Sequence, residues 1–380
     1  MKGKQRYRLL VGLVLLILLL TPVFLYSEGP HADRSKLPRG CASCHRGHGR
    51  FSTPMLPERK EVFCFRCHGH SINVEKAKRG GDLAANINTV NIQKEFEKPY
   101  RHPIEKIRIH RYDETLPERD PSMPRHAECV DCHHHHYVKT ENKIVAVRGA
   151  NRHGAKVESV SFEYELCFKC HSYSANLPAD QTNKAEIFDI SNPSYHPVEA
   201  PGRNNDVPSL IYPLTASSLI KCTDCHNNDD PAGPKGPHGS IYRYILTKNF
   251  TETDGSEGDF QYELCYSCHR RESILSNESF QLHYLHISTV GTSCRTCHNP
   301  HGSTRYTHLV DFDNLSIRPS NSGRLEFSDF GNRAGQCFLN CHGKDHDPAV
   351  YPAAVSTPST SSPSFRQKLP IPPPRPLRRF

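Results

Sequence analysis

All sixteen cysteines of this chain fall into close pairs, and every pair is followed at once by a histidine. The runs are Cys41-Ala-Ser-Cys44-His45, Cys64-Phe-Arg-Cys67-His68, Cys129-Val-Asp-Cys132-His133, Cys167-Phe-Lys-Cys170-His171, Cys222-Thr-Asp-Cys225-His226, Cys265-Tyr-Ser-Cys268-His269 and Cys294-Arg-Thr-Cys297-His298. An eighth, Cys337-Phe-Leu-Asn-Cys341-His342, is one residue longer. No cysteine is left over.

On one helical turn, cysteines at i and i+3 project from the same face, and a histidine at i+4 lies above the first of them. Two thioethers to the vinyl groups of one porphyrin and one bond to its iron can therefore come from a single turn, so C-x-x-C-H reads as a covalent haem c site. Disulfides, or four four-cysteine zinc ribbons, would use the same cysteines. Neither accounts for the histidines. In the eighth run the extra residue must bulge for both sulfurs to reach one haem.

Composition agrees with a cofactor-filled interior. Only 36% of the 380 residues are hydrophobic, Trp is absent, and Gly and Pro occupy 23 and 30 positions. Side chains of this kind do not build a conventional core of that size. The fold class expected is mostly irregular, with short α-helices, few strands, and a chain of covalently bound haems as the organising core. One short helix is predicted at each motif, with a hairpin around 144–160 where two Val-rich runs flank Gly149 and Gly154. The 48 basic residues are scattered and the net charge is +8, which argues against nucleic acid as a partner. Eight ferric haem centres add about +8 and sixteen propionates about −16, leaving about zero when oxidised and −8 when reduced.

A haem iron with one histidine has a sixth position, and its occupant separates electron carriers from catalysts. His48, His136 and His301 each stand three residues after a motif histidine. His238, in Pro237-His238-Gly239-Ser240, echoes His301 in Pro300-His301-Gly302-Ser303. A second class precedes the motifs: His31, His102, His196 and His286. These eight are the candidate distal ligands. His70, His110, His126, His134, His135, His153, His283, His308 and His346 read as solvated surface residues. The repeat defines four units, at about 28–97, 98–190, 191–275 and 276–347, each with a leading histidine, a first motif, a following histidine and a second motif. A following histidine lies too close to its own motif to reach the far side of the same haem, so it should ligate another one.

With these motifs the sequence resembles the multihaem c-type cytochromes with doubled C-x-x-C-H motifs. The likeness covers about 28–347. It implies bis-histidine, low-potential haems packed edge to edge, conducting electrons in the periplasm or at the cell surface. The function expected is electron transfer along eight haems c, without chemical transformation of a substrate. The alternative is a multihaem reductase of nitrite, hydroxylamine or a sulfur oxyanion, which needs an iron with an open sixth site. Eight candidate distal histidines for eight haems leave none.

Lys2, Lys4, Arg6 and Arg8 precede an apolar run from Leu9 to Leu20, extendable to Tyr26, which reads as an export signal or an uncleaved membrane anchor over residues 1–27. Two four-haem regions, 28–190 and 191–347, follow. From Asp347 onward nine of thirty-four residues are Pro, and 348–380 reads as a disordered or polyproline II tail. The chain is expected to be exported, periplasmic or at the cell surface, attached to the membrane by its N-terminal segment if that is kept. A membrane-bound donor and an outward acceptor are the expected redox partners, and a homopolymer is compatible with the same chemistry.

Overall fold

The computed structural model describes residues 29–48, 55–104, 127–174, 177, 181–312 and 314–352. The N-terminal apolar segment, His110, His126 and residues 353–380 lie outside them. Among the described residues no helix is long and apolar enough to cross a membrane.

Regular structure is sparse. A 3-10 turn at Gly40–Ser43 carries the first motif. Six further motifs lie on α1 (Lys60–His68), α3 (Cys129–Cys132), α4 (Glu163–His171), α6 (Cys222–Cys225), α7 (Glu263–Tyr266) and α9 (Cys294–Cys297), while α2 (Ser71–Arg79), α5 (Lys184–Ile187) and α8 (Arg271–Leu275) carry none. The helices are short for local reasons. In α3 and α6 the residue before the second cysteine is Asp131 or Asp224, whose carboxylate accepts from the N-cap amide of Glu128 or Lys221 at 2.7 and 2.8 Å. Ser293 accepts the Thr296 amide at the start of α9. These caps start a turn at the first cysteine. The motif histidine then ends it, because His133, His226 and His298 adopt extended backbone angles.

Ten strands accompany these helices: β1 (Tyr100–Arg101), β2 (Gly149–Ala150), β3 (Lys156–Val157), β4 (Ser194–Tyr195), β5 (Gly239–Ser240), β6 (Gly302–Ser303), β7 (Ile317–Arg318), β8 (Glu326–Gly331), β9 (Ala334–Cys341) and β10 (Lys344–Tyr351). The first six have two residues each and make three isolated antiparallel pairs, β1 with β5, β2 with β3 and β4 with β6. The hairpin read at 144–160 is the β2–β3 pair, with strands shorter than its Val-rich runs; Val160 donates to Val147 outside them.

β7 to β10 form a four-stranded antiparallel sheet over a core of Val310, Phe312, Ile317, Phe327, Leu339 and Tyr351. Two smaller apolar clusters lie elsewhere, one around Phe168 and Phe188 and one around Leu37, Ala77 and Leu83. The sheet corrects two expectations. The Cys337 motif is on β9, not on a helix, and β10 runs to Tyr351, beyond the boundary expected at 347.

Candidate haem sites

Six motif histidines face a second histidine ring at nearly constant separation. The centroid distances are 6.1 Å for His45–His136, 6.0 Å for His68–His31, 6.1 Å for His133–His238, 6.3 Å for His171–His102, 6.1 Å for His226–His301 and 6.4 Å for His298–His283. Two metal–imidazole bonds of about 2 Å, plus about 1.1 Å from each nitrogen to its ring centre, add to roughly 6.3 Å. The rings are spaced for one iron between them. The remaining C-x-x-C-H histidine, His269, lies near enough to His196 and His298 for each to depress its protonation.

The hydrogen bonds define which ring nitrogen is free. Nδ1 meets a backbone carbonyl in His31 (His135, 2.7 Å), His102 (Pro237, 2.7 Å), His133 (Lys143, 3.0 Å), His226 (Tyr244, 2.8 Å), His286 (Leu282, 2.8 Å) and His298 (His308, 2.9 Å), and His196 bonds the Pro300 carbonyl. His269 Nδ1 meets the Ser209 hydroxyl at 2.9 Å. A histidine that donates from Nδ1 presents the lone pair of Nε2, the arrangement found around ligating imidazoles. His70 and His308 differ, since each uses both nitrogens, on Asn91 and Glu97 and on Asn204 and Asp329. They have none left for a metal.

Burial also keeps these rings neutral, the state a ligand needs. It pushes His68, His238 and His269 down to about 4 and His283 to about 3. It lowers His133, His196, His226, His298 and His301 as well.

The pairs follow a rule. In units one and two the leading histidine faces the second motif of its own unit, and in units one to three the first motif is faced by the following histidine of the next unit. His102 and His238 are joined across β1–β5, where Arg101 opposes Gly239, and His196 and His301 across β4–β6, where Tyr195 opposes Gly302. His31 bonds the carbonyl just before His136 in the same way. Two aromatic residues absent from the sequence reading support this joint. Phe96 edges against His238 at 5.7 Å and Phe188 against His301 at 5.4 Å. Their signal lay in a repeat of Phe a few residues before a Tyr and a leading histidine.

Backbone strain aims two of the proximal histidines. Tyr244-Ile245 and His308-Leu309 are pairs of non-glycine residues at positive φ. The carbonyls of Tyr244 and His308 are the Nδ1 partners of His226 and His298. Such residues cost roughly 1–3 kcal/mol each and persist where the surroundings demand them.

Three expected ligands are placed differently. His48 is exposed and faces no ring among the described residues. His286 faces His346 at 6.5 Å, and His283 holds the place opposite His298. His342 and Gly343, both at positive φ, form the two-residue turn between β9 and β10. His342 Nε2 points at Asp254, 3.4 Å away. On an extended strand the Cα atoms of Cys337 and Cys341 stand about 13 Å apart, too far for two thioethers to one porphyrin. The seven C-x-x-C-H sites fit a haem, whereas the eighth does not fit as a strand.

The sulfurs run in chain order. The thiols of Cys64 and Cys129, Cys167 and Cys222, and Cys265 and Cys294 lie close enough to perturb each other's ionisation. Within units, Cys44 is close enough to sense Cys67, Cys225 to sense Cys268, and Cys297 to sense Cys341. Cys167 senses Cys132 in unit two, so each motif lies near the next one in sequence. None of the sixteen cysteines is in a disulfide, and among the described residues no group of three or more donors is placed for a metal such as zinc.

The family model for the doubled CXXCH motif matches residues 35–72. No curated protein and no solved structure matches the chain. The matched segment spans the first two motifs and supports a multihaem c-type cytochrome motif with covalently bound haem c, of the electron-transfer type.

Proposed function

We propose that this chain is an exported octahaem electron carrier, in which electrons hop one at a time along haems c arranged in sequence order. The observation that carries it is the set of six histidine pairs at iron-bridging distance, extended by His196 for His269. Seven irons are then held by His45 and His136, His68 and His31, His133 and His238, His171 and His102, His226 and His301, His269 and His196, and His298 and His283. Each has both axial positions filled from this chain, which favours a carrier over a reductase. Haem supplies the redox chemistry; the chain fixes each iron's ligands, keeps the imidazoles neutral and spaces the motifs. An eighth haem on Cys337 and Cys341 would require β9 to give up its strand for a turn there. Bis-histidine haems in close series suit a membrane-bound donor at one end and an outward acceptor at the other.

Intact mass and ferric electron paramagnetic resonance of the purified protein test this together. Eight haem masses with all seven paired irons low-spin are expected. Four or fewer haems, or a high-spin fraction accompanied by nitrite or hydroxylamine turnover, would overturn it.

A further inference from the structure

The two irons of units two and three are each built around one shared joint. In unit three, His196 and His301 lie side by side across β4–β6. The His196 amide donates to the His301 carbonyl at 3.0 Å, and its Nδ1 bonds the carbonyl of Pro300. Unit two repeats this, with His102 donating to His238 at 3.4 Å and from Nδ1 to Pro237 at 2.7 Å. The members of each joint serve different motifs: His301 faces His226, His238 faces His133 and His102 faces His171 at ring distances of 6.1, 6.1 and 6.3 Å, and His196 is assigned to His269, near which it lies.

A third segment presses on each joint from behind. The Ile187 carbonyl lies where a Cβ on Gly302 would go, and the Glu95 carbonyl where a Cβ on Gly239 would go. Both contacts are to backbone, which has no rotamer to yield. Neither glycine needs a positive φ, so close approach alone explains the residue. Ile187 and Glu95 each precede the phenylalanine that edges the distal ring, so ring and carbonyl move as one unit. Ser240 and Ser303, next in sequence, are fully buried. Lys98 fixes the Glu95 segment through ion pairs to Glu95 at 2.5 Å and Asp229 at 2.7 Å.

We infer that Gly239 and Gly302 are positioning residues that hold two distal histidines at once, so that a single methyl at either position unseats the sixth ligand of two irons. This rests on the bis-histidine reading above. A side chain at Gly302 has to part β6 from the Ile187 segment. Because His301 and His196 are joined by the ladder, the shift carries both away from their irons. In the first unit the equivalent position is Tyr137, and a close approach falls instead on Gly29, against the Val138 carbonyl of the facing segment.

The experiment compares Gly302→Ala with His301→Ala and Gly255→Ala in the haem-loaded protein. Gly255 has open space at its Cβ and an ordinary φ, so its substitution should change nothing. His301→Ala should yield one high-spin ferric iron per chain. Gly302→Ala should yield two, with haem content by mass unchanged, and millimolar imidazole should return both to low spin. Fully low-spin Gly302→Ala, or only one high-spin iron, overturns the inference. So does failure of Gly302→Ala to mature when a His196→Ala/His301→Ala double variant matures normally, because the glycine would then serve the fold and not the ligands. Gly239→Ala should repeat the result at the Cys129 and Cys167 sites. A wild type already high-spin or short of haem would instead defeat the bis-histidine reading itself.

Discussion

The chain from His31 to Val310 and the sheet from Ile317 to Tyr351 carry the same kind of motif on opposite kinds of backbone. Upstream, each C-x-x-C-H lies on a turn, six of the seven motif histidines oppose another histidine ring, and long-range order is kept by two-residue ladders. Downstream, the eighth motif sits in a strand with neighbours on both sides, Lys344 and Ile317 both opposing Cys341. The difference lies in what is available to bury. β9 places Phe338 and Leu339 in the interior and joins a six-residue apolar core, whereas Cys-Val-Asp-Cys in α3 buries none of its residues. Hydrophobic burial is the main driving force for folding, so the C-terminal sheet has a fold of its own and the upstream units must take theirs from haem.

Removing the attachment points separates these cases most sharply. Cys129→Ala/Cys132→Ala should abolish accumulation of folded protein, or leave a chain with the β1–β5 joint open and more than one high-spin iron. Cys337→Ala/Cys341→Ala should lose a single haem mass while the other seven irons keep their low-spin spectra and the sheet survives limited proteolysis. Equal damage from both pairs would show that the sheet's core does not fold independently.

The next effect is one iron in size and concerns the fourth unit, where the repeat ends. Units one to three receive a following histidine from the unit downstream. Unit four has no successor, and His283 stands opposite His298 in its stead. His283→Ala should convert one iron, at the Cys294 site, to high spin. His286→Ala should leave that iron low-spin and act on the eighth site. The reverse outcome would restore the assignment made from sequence offsets alone.

What could be read in the sequence was whatever the covalent chemistry dictates locally. Cysteine spacing gave the cofactor, and seven motifs do lie on turns. Offsets from the motifs singled out His31, His102, His136, His196, His238 and His301, because the repeat carries them, and all but His196 stand opposite a motif histidine ring. They could not rank His283 against His286, three residues apart, since that choice depends on where the chain stops repeating. The strand at Cys337 was also hidden. Its signal, the short apolar run Cys337-Phe-Leu339, is weak beside a C-H motif, and the core it joins comes from other segments, Val310 and Phe327 among them. Phe96 and Phe188 looked like ordinary aromatics, because the contact that defines them is with a histidine more than a hundred residues away.

The smallest expected effect is none at all, at His48. Its offset from His45 equals those of His136 and His301 from their motifs, and those two stand opposite first-motif histidines of the preceding unit. His48 has no preceding unit in this chain, and it stands exposed, while His136 fills the position opposite His45. His48→Ala should therefore leave haem content, the number of low-spin irons and the reduction titration unchanged, which paramagnetic resonance and a spectroscopic redox titration can check at several protein concentrations. A high-spin iron that appears in the variant only when the protein is concentrated would show that His48 reaches a haem in a second copy, and the boundary between one chain and the next would then obey the same rule as the boundary between its units.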